Sequence, residues 1–140
     1  MTIYIIDLEP VESRYTAQWK KFIPQELSRL TNDKVITVSG GNVPQTTTPG
    51  AFLNFAGTNV YKSQQSIDVA KLFADNKVKA GDHFVYTDAW NPSIIQLQYM
   101  RQLLQIDCKI HALCIHGTRS LSPFCCPMAQ RTSFGILNAC

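Results

Sequence analysis

The sequence of 140 residues contains no long apolar run and no secretion signal. A membrane-spanning helix needs about 20 consecutive apolar residues, and no window of the sequence approaches that length. The N-terminal segment MTIYIIDLEP is interrupted by Asp7 and Glu9, and it has neither a basic flank nor a small-residue cleavage site. We therefore expect no membrane association and a cytoplasmic location, in which cysteines stay reduced.

The chain also lacks a strong charge of either sign. Thirteen Lys and Arg stand against ten Asp and Glu, which gives a formal charge of +3, and the basic residues are scattered. This balance favours a small anionic ligand over a nucleic-acid clamp. With 45% hydrophobic residues, the chain is long enough to bury the core of one domain.

Cysteine is absent before position 108, and the five cysteines all fall in the last 33 residues. An odd count is a poor disulfide framework. Cys108, His111, Cys114 and His116 lie within nine residues, but side chains alternate along a strand, so His111 would face away from Cys114 and His116. We expect no metal site.

Strand-like and helix-like segments alternate four times, which predicts an α/β domain with an open, mostly parallel Rossmann-like sheet of about four strands and crossover helices. Short β-branched apolar runs predict strands within 3–8, 34–41, 83–90 and 109–115. Amphipathic spacing predicts a helix over 12–30, with either a kink or a division into two abutting helices at Pro24. Two further helices are predicted, one from Ser63 onward and one from Pro92 onward with Asn91 as cap.

This pattern assigns residues 1–114 to the α/β domain and leaves 115–140 as a tail. The segment after Ile115 contains none of the ten Asp and Glu and follows neither period. One interpretation is an irregular wrap with a short helix over 133–138. The other is that a longer parent domain is truncated or out of frame here.

In an open parallel sheet, ligands bind outside the carboxyl ends of the strands. Asp7 and Glu9 lie at the carboxyl end of the first predicted strand, where a carboxylate acts as a general base or caps the next helix. Asp88, Trp90 and Asn91 lie at the carboxyl end of the third. An acid, an aromatic wall and an amide suit a sugar or nucleotide site, and equally a well-capped turn.

The segment 46–63, TTTPGAFLNFAGTNVYKS, carries no known phosphate motif. A Walker A loop needs Lys directly after its second glycine, whereas four residues separate Gly57 from Lys62, and no G-x-G-x-x-G is present. We interpret the segment either as an anion-binding loop that leads into a helix capped by Ser63, or as a structural flap whose Phe52 and Phe55 cover the sheet. The candidate ligand contacts are its hydroxyl, amide, glycine and lysine positions: Thr48, Gly50, Gly57, Thr58, Asn59, Lys62 and Ser63.

Four segments, DLEPVESRYTAQWK, TTPGAFLNFAGTNVYKS, GDHFVYTDAWNPSIIQLQYM and IHAL, resemble the N-terminal part of a family of tailed-phage proteins classed as glycosyltransferase-like. The likeness runs from about residue 3 to residue 114, and TTPGAFLNF, GTNVYKS and TDAWNP are its most specific parts. The chain departs from the family pattern just after Leu113, and similar proteins continue well beyond 140 residues.

The resemblance implies sugar transfer from a nucleotide-sugar to an acceptor, such as a hydroxymethylated base of phage DNA, between two facing Rossmann-like domains. This chain would be the acceptor-side domain in the host cytoplasm, without the donor-binding domain and with no cofactor beyond the donor. Asp88 would be the base, with Asp7 or Glu9 as second choices. Arg14 and Lys62 would neutralise phosphate.

Two other interpretations stay open. In the first, the chain is a non-catalytic Rossmann-like module that binds a nucleotide or a partner protein, with a homo-oligomer formed through an uncovered sheet edge. Alternatively, it is a truncated product without activity.

Overall fold

The alternation of strands and helices predicted from the sequence is present in a computed structural model of the chain, which describes residues 1–9, 15–41, 55–113 and 136–138. In chain order, the elements of these ranges are β1 (Thr2–Ile6), α1 (Tyr15–Leu30), β2 (Lys34–Val38), α2 (Phe55–Ala74), β3 (His83–Tyr86), α3 (Ser93–Leu103), β4 (Lys109–Leu113) and β5 (Ile136–Asn138). No helix in these ranges is both long and apolar enough to cross a bilayer.

The strands form one open sheet in the order β2-β1-β3-β4-β5. The first four are parallel, and β5 runs antiparallel to β4. Ile6 pairs with Val38 on one side and Tyr86 on the other, so the carboxyl ends of the three strands β2, β1 and β3 are level. The predicted α/β fold with a mostly parallel Rossmann-like sheet is confirmed.

The core forms where one face of the sheet packs against α2 and α3. Tyr4 and Phe84 stack with ring centroids 4.8 Å apart, and Phe73 of α2 stacks on Phe84 at 6.1 Å. Val69 of α2 and Leu97 of α3 are fully buried in the same cluster. Aromatic pairs at these separations contribute beyond their buried area, so this cluster fixes the two helices over β1 and β3.

The strand order creates a switch point between β1 and β3. From β1 the chain passes to β2 on one side, and from β2 it crosses through α2 to β3 on the other side of β1. Loops diverge at such a point and leave a crevice at the carboxyl edge of the sheet, which is where open α/β folds bind ligands.

Helix α2 differs from its prediction. We expected a loop as far as a cap at Ser63, but the helix begins at Phe55, and Ser63 is exposed in its interior. Gly57, Thr58, Asn59 and Lys62 therefore lie in the helix rather than in a loop. The burial of Thr58, Tyr61 and Lys62 on one face of the helix overrides the weak helix propensity of Gly, Thr and Asn.

The C-terminal prediction also needs a correction. The expected helix over 133–138 is wrong for Ile136–Asn138, which form β5 and pair with His111 to Leu113 of β4. Without β5, the edge of β4 would present unpaired backbone N–H and C=O groups. A segment of three residues is long enough to form hydrogen bonds with them. In α1, Pro24 lies inside one continuous helix and does not divide it into two.

Candidate functional site

Asp7 follows β1 and is surrounded by donors. Its side chain is 2% exposed. Tyr61 donates to Oδ1 at 2.5 Å and Gln65 at 2.9 Å, while Ser39 donates to Oδ2 at 2.5 Å. The Lys20 amine lies 3.5 Å from Oδ2. Because both oxygens accept from donors on other elements, Asp7 joins β1 to α1, α2 and the end of β2.

Tyr61 is placed by a close approach between α2 and the turn after β2. Its side chain is buried, and burial, followed by the hydrogen bond to Asp7, raises the pKa of Tyr61 well above 10. A Cβ at Gly40 would lie 2.2 Å from the Tyr61 carbonyl oxygen. Only glycine allows α2 to approach the sheet this closely.

A chain of buried hydrogen bonds continues from Asp7 to α3. Gln65 donates to the Asp7 carbonyl oxygen at 2.7 Å, and its Oε1 accepts from Asn91 Nδ2 at 2.9 Å. Asn91 Oδ1 accepts from the Ser93 backbone N–H, and Ser93 Oγ bonds to the Tyr86 hydroxyl. A connected network of this kind holds the middle of α2 and the start of α3 in a fixed relation to the sheet.

The predicted start of α3 agrees with the structure to within one residue. The helix begins at Ser93, and Pro92 before it already has helical dihedral angles of φ −64 and ψ −18. The bond from Ser93 N–H to Asn91 Oδ1 is the one that an N-terminal cap makes. Asn91 is buried, and this hydrogen bond gives it a structural role at the start of α3.

Lys62 and Asp88 form an ion pair at the switch point. Lys62 Nζ lies 2.6 Å from Asp88 Oδ2, and the two side chains are 10% and 21% exposed. Asp88 Oδ1 accepts from the Trp90 backbone N–H at 2.9 Å. Trp90 itself is half exposed. Of the three candidate acids, Asp88 alone keeps appreciable solvent access.

Glu9 is buried beside the first turns of α2. It is 3% exposed, and its Oε1 accepts from Thr58 Oγ1 at 3.2 Å. Its Oε2 is buried without a hydrogen-bond partner among the described residues. Thr58 and Lys62 are four residues apart on one helix face, so their Cβ atoms lie about 5–6 Å apart. Glu9 and Asp88 therefore lie beside consecutive turns of α2.

The structure brings together six of the predicted site residues at the carboxyl edge between β1 and β3: Asp7, Glu9, Thr58, Lys62, Asp88 and Asn91. Asn59 and Ser63 are exposed on α2 away from its buried face, and Gly57 is partly buried. Arg14, Thr48, Gly50 and Phe52 lie outside the described residues, so the predicted flap and the Arg14 phosphate contact stay predictions.

Tyr61 and Gln65 belong to the site although neither was predicted from the sequence. Their signal was present, because Thr58, Tyr61, Lys62 and Gln65 follow steps of 3, 1 and 3, the spacing of one helix face. The helices were predicted only from regularly spaced apolar residues, whereas the residues on this helix face are polar and buried. Val69 continues the same face into the apolar core.

Away from this edge, His83 and His111 pair across β3 and β4. His111 Nε2 lies 3.0 Å from His83 Nδ1, and their ring planes differ by 16°. Burial, and then the neighbouring His111, lower the pKa of His83. Within the described ranges, no three His, Cys, Asp or Glu side chains are grouped to hold a metal ion.

Comparison with known proteins gives no further guide to function. No protein-family model, no curated protein and no solved structure matches the chain. The site must therefore be interpreted from its own geometry.

Proposed function

We propose that the chain is the acceptor-side domain of a glycosyltransferase-like protein, which binds a hydroxyl-bearing acceptor at the carboxyl edge between β1 and β3. The observation that carries the proposal is the Lys62–Asp88 ion pair, which lies at the switch point with Asp88 still 21% exposed. A partly accessible carboxylate is what an acceptor hydroxyl needs for proton transfer.

In this proposal Asp88 takes the proton of the acceptor hydroxyl. The hydroxyl oxygen forms a bond to the anomeric carbon of the donor sugar, and the bond from that carbon to the nucleotide phosphate breaks, so the electron pair leaves with the phosphate. Lys62 orients the Asp88 carboxylate through its 2.6 Å contact. The nucleotide-sugar is the donor substrate, and a hydroxymethylated base of DNA is the proposed acceptor.

Asp7 has a different part in the same proposal. Its oxygens accept three side-chain hydrogen bonds, from Tyr61, Gln65 and Ser39, and its side chain is 2% exposed, against 21% for Asp88. We therefore propose Asp7 as the group that fixes α2 against the sheet, and Asp88 as the base.

The test measures transfer of the sugar to an oligonucleotide. The chain is incubated with UDP-glucose and an oligonucleotide that contains 5-hydroxymethylcytosine, and the mass of the oligonucleotide is measured. With UDP-glucose in large excess, because the chain is proposed to supply only the acceptor side, we expect a gain of one hexose, and its loss in Asp88→Asn. Asp75→Asn is the matched control, because Asp75 forms an exposed pair with Lys77 at 2.9 Å. Transfer by Asp88→Asn at the wild-type rate would remove Asp88 from the role of base.

A second candidate is a non-catalytic module that binds a nucleotide or sugar. One observation favours it: both oxygens of Asp88 already accept hydrogen bonds, from Lys62 and from the Trp90 N–H. This candidate predicts binding of the same probes with no change in oligonucleotide mass, even after the donor and acceptor are shown to bind together.

A further inference from the structure

Glu9 differs from the other buried carboxylates of the described chain. Asp82, at the opposite edge of the sheet, accepts from the backbone N–H of Thr2 and of Lys79, each at 2.8 Å. Asp7 accepts from side chains at both oxygens. Glu9 Oε2, by contrast, has no partner among the described residues. A buried, unpaired carboxylate oxygen is costly, so a fold retains one for a reason other than stability.

The surrounding charges indicate what kind of donor would complete Glu9. Among the described residues, three carboxylates lie at this edge, and two amines, Lys62 and Lys20, pair with Asp88 and Asp7. These described groups carry a net negative charge, which disfavours a phosphate beside Glu9. A divalent ion would need several oxygen ligands, and among the described residues no three acidic, His or Cys side chains are placed so that they could hold one ion together.

A neutral hydroxyl group can complete Glu9 without the negative charge of a phosphate and without the further ligands that a metal ion needs. It donates one hydrogen bond, adds no charge, and would complement the Thr58 hydroxyl, which already bonds to Oε1 at 3.2 Å. Hydrogen bonds from neutral donors to a carboxylate are stronger than those between neutral groups.

We propose that Glu9 Oε2 accepts a hydrogen bond from a hydroxyl of a sugar, ribose or hydroxymethyl group, and that any phosphate of the ligand lies away from Glu9. The proposal rests on the proposed function for the location of the site, but it does not require transfer. Glu9 selects the ligand by its hydroxyl, whereas Asp88 performs the chemistry.

The proposal predicts opposite effects of Glu9→Gln on stability and on binding. The amide keeps an acceptor for Thr58 and removes the unpaired buried charge, so the melting temperature of the free protein rises by roughly 3–8 °C. Affinity for a hydroxyl-bearing ligand falls about 10- to 100-fold, because the ligand loses a bond to a charged acceptor. Glu26→Gln is the matched control, since Glu26 is exposed and pairs only with Arg29 among the described contacts.

Thermal denaturation and titration calorimetry measure both effects in the whole chain. The probes are UDP-glucose, the 5-hydroxymethylcytosine oligonucleotide, its 5-methylcytosine counterpart without the hydroxyl, and pyrophosphate. We expect Glu9→Gln to weaken the binding of UDP-glucose or of the hydroxymethylated oligonucleotide. The affinities for the methylated oligonucleotide and for pyrophosphate should not change. Glu26→Gln should change neither melting temperature nor affinity.

Four results would overturn the proposal: a Glu9→Gln variant that melts lower than the wild type, wild-type affinity in that variant, absence of binding by every hydroxyl-bearing probe, or stabilisation of the wild type by MgCl₂ alone. The outcome is separable from the proposed function. Hydroxyl-dependent binding without transfer would retain the Glu9 proposal and refute the transferase. Transfer with unchanged affinity in Glu9→Gln would do the reverse.

Discussion

Replacing Tyr61 with Phe tests whether the Asp7 network holds α2 against the sheet. Tyr61 is 1% exposed, and its hydroxyl donates to Asp7 Oδ1 at 2.5 Å. The substitution removes this donor, while the ring and its contact with Gly40 stay in place. A hydrogen bond to a charged group contributes about 1.5–3 kcal/mol. Gln65 still donates to the same oxygen, so we expect a loss of about 2 kcal/mol in the free energy of unfolding.

Urea denaturation followed by circular dichroism measures this loss. The matched control is Tyr99→Phe, because Tyr99 is 63% exposed on α3 and its hydroxyl is expected to contribute less than about 0.5 kcal/mol. A Tyr61→Phe variant as stable as Tyr99→Phe would refute the reasoning, since it would show that Asp7 does not depend on the Tyr61 hydroxyl.

Three further predictions concern other parts of the fold. Gly40→Ala should destabilise the protein by about 3 kcal/mol in urea denaturation, because its Cβ would lie 2.2 Å from the Tyr61 carbonyl oxygen; a near-neutral effect would contradict the close approach. Asp82→Asn should lower the free energy of unfolding by about 1.5–3 kcal/mol, because one of the two backbone N–H groups that donate to Asp82 would face an amide N–H instead. An unchanged midpoint in urea denaturation would count against this prediction. The pKa of His83 is lowered in the folded state, so the unfolded chain binds more protons below pH 6.5, and stability should fall as pH decreases from 6.5 toward the folded pKa. His83→Gln should flatten that slope in melting curves between pH 7 and pH 5, and an unchanged slope would show that His83 does not cause it.

The order and type of most elements could be predicted from the sequence. The four parallel strands are short β-branched apolar runs, and α1 and α3 have marked start or stripe signals. Such signals are local, so a single sequence contains them. The parallel arrangement of strands joined by helices then follows from the general preference for crossovers in open sheets, whereas the order β2-β1-β3-β4 was not predicted.

The start of α2 could not be predicted in the same way. Its first two turns contain Gly57, Thr58 and Asn59, which are weak helix formers. The groups that stabilise these turns are distant in sequence: Thr58 bonds to Glu9, 49 residues away, and Tyr61 to Asp7, 54 residues away. Only the assembled sheet brings these partners together, so the one local signal is the polar 3, 1, 3 spacing from Thr58 to Gln65, which does not show that the helix begins as early as Phe55. The three-residue β5 depends in the same way on the edge of β4.

Asp7 and Glu9 show what the sequence leaves undecided at the site itself. They are two residues apart at the end of one strand, both are buried, and both are acids, so the sequence predicts equal roles for them. Their hydrogen bonds differ. Both oxygens of Asp7 accept from side-chain hydroxyls, whereas one oxygen of Glu9 has no partner among the described residues.

The same physical rule therefore gives opposite signs at these two positions. In Asp7→Asn, an amide N–H would face the hydroxyl of Tyr61 or Ser39, and the loss of one charged hydrogen bond lowers the free energy of unfolding by about 1.5–3 kcal/mol. In Glu9→Gln, the substitution removes a buried charge that lacked a partner and raises the free energy of unfolding. Urea denaturation of the two variants side by side measures the difference. If both substitutions destabilise the protein equally, Glu9 is a structural acid like Asp7, and the hydroxyl site loses its basis.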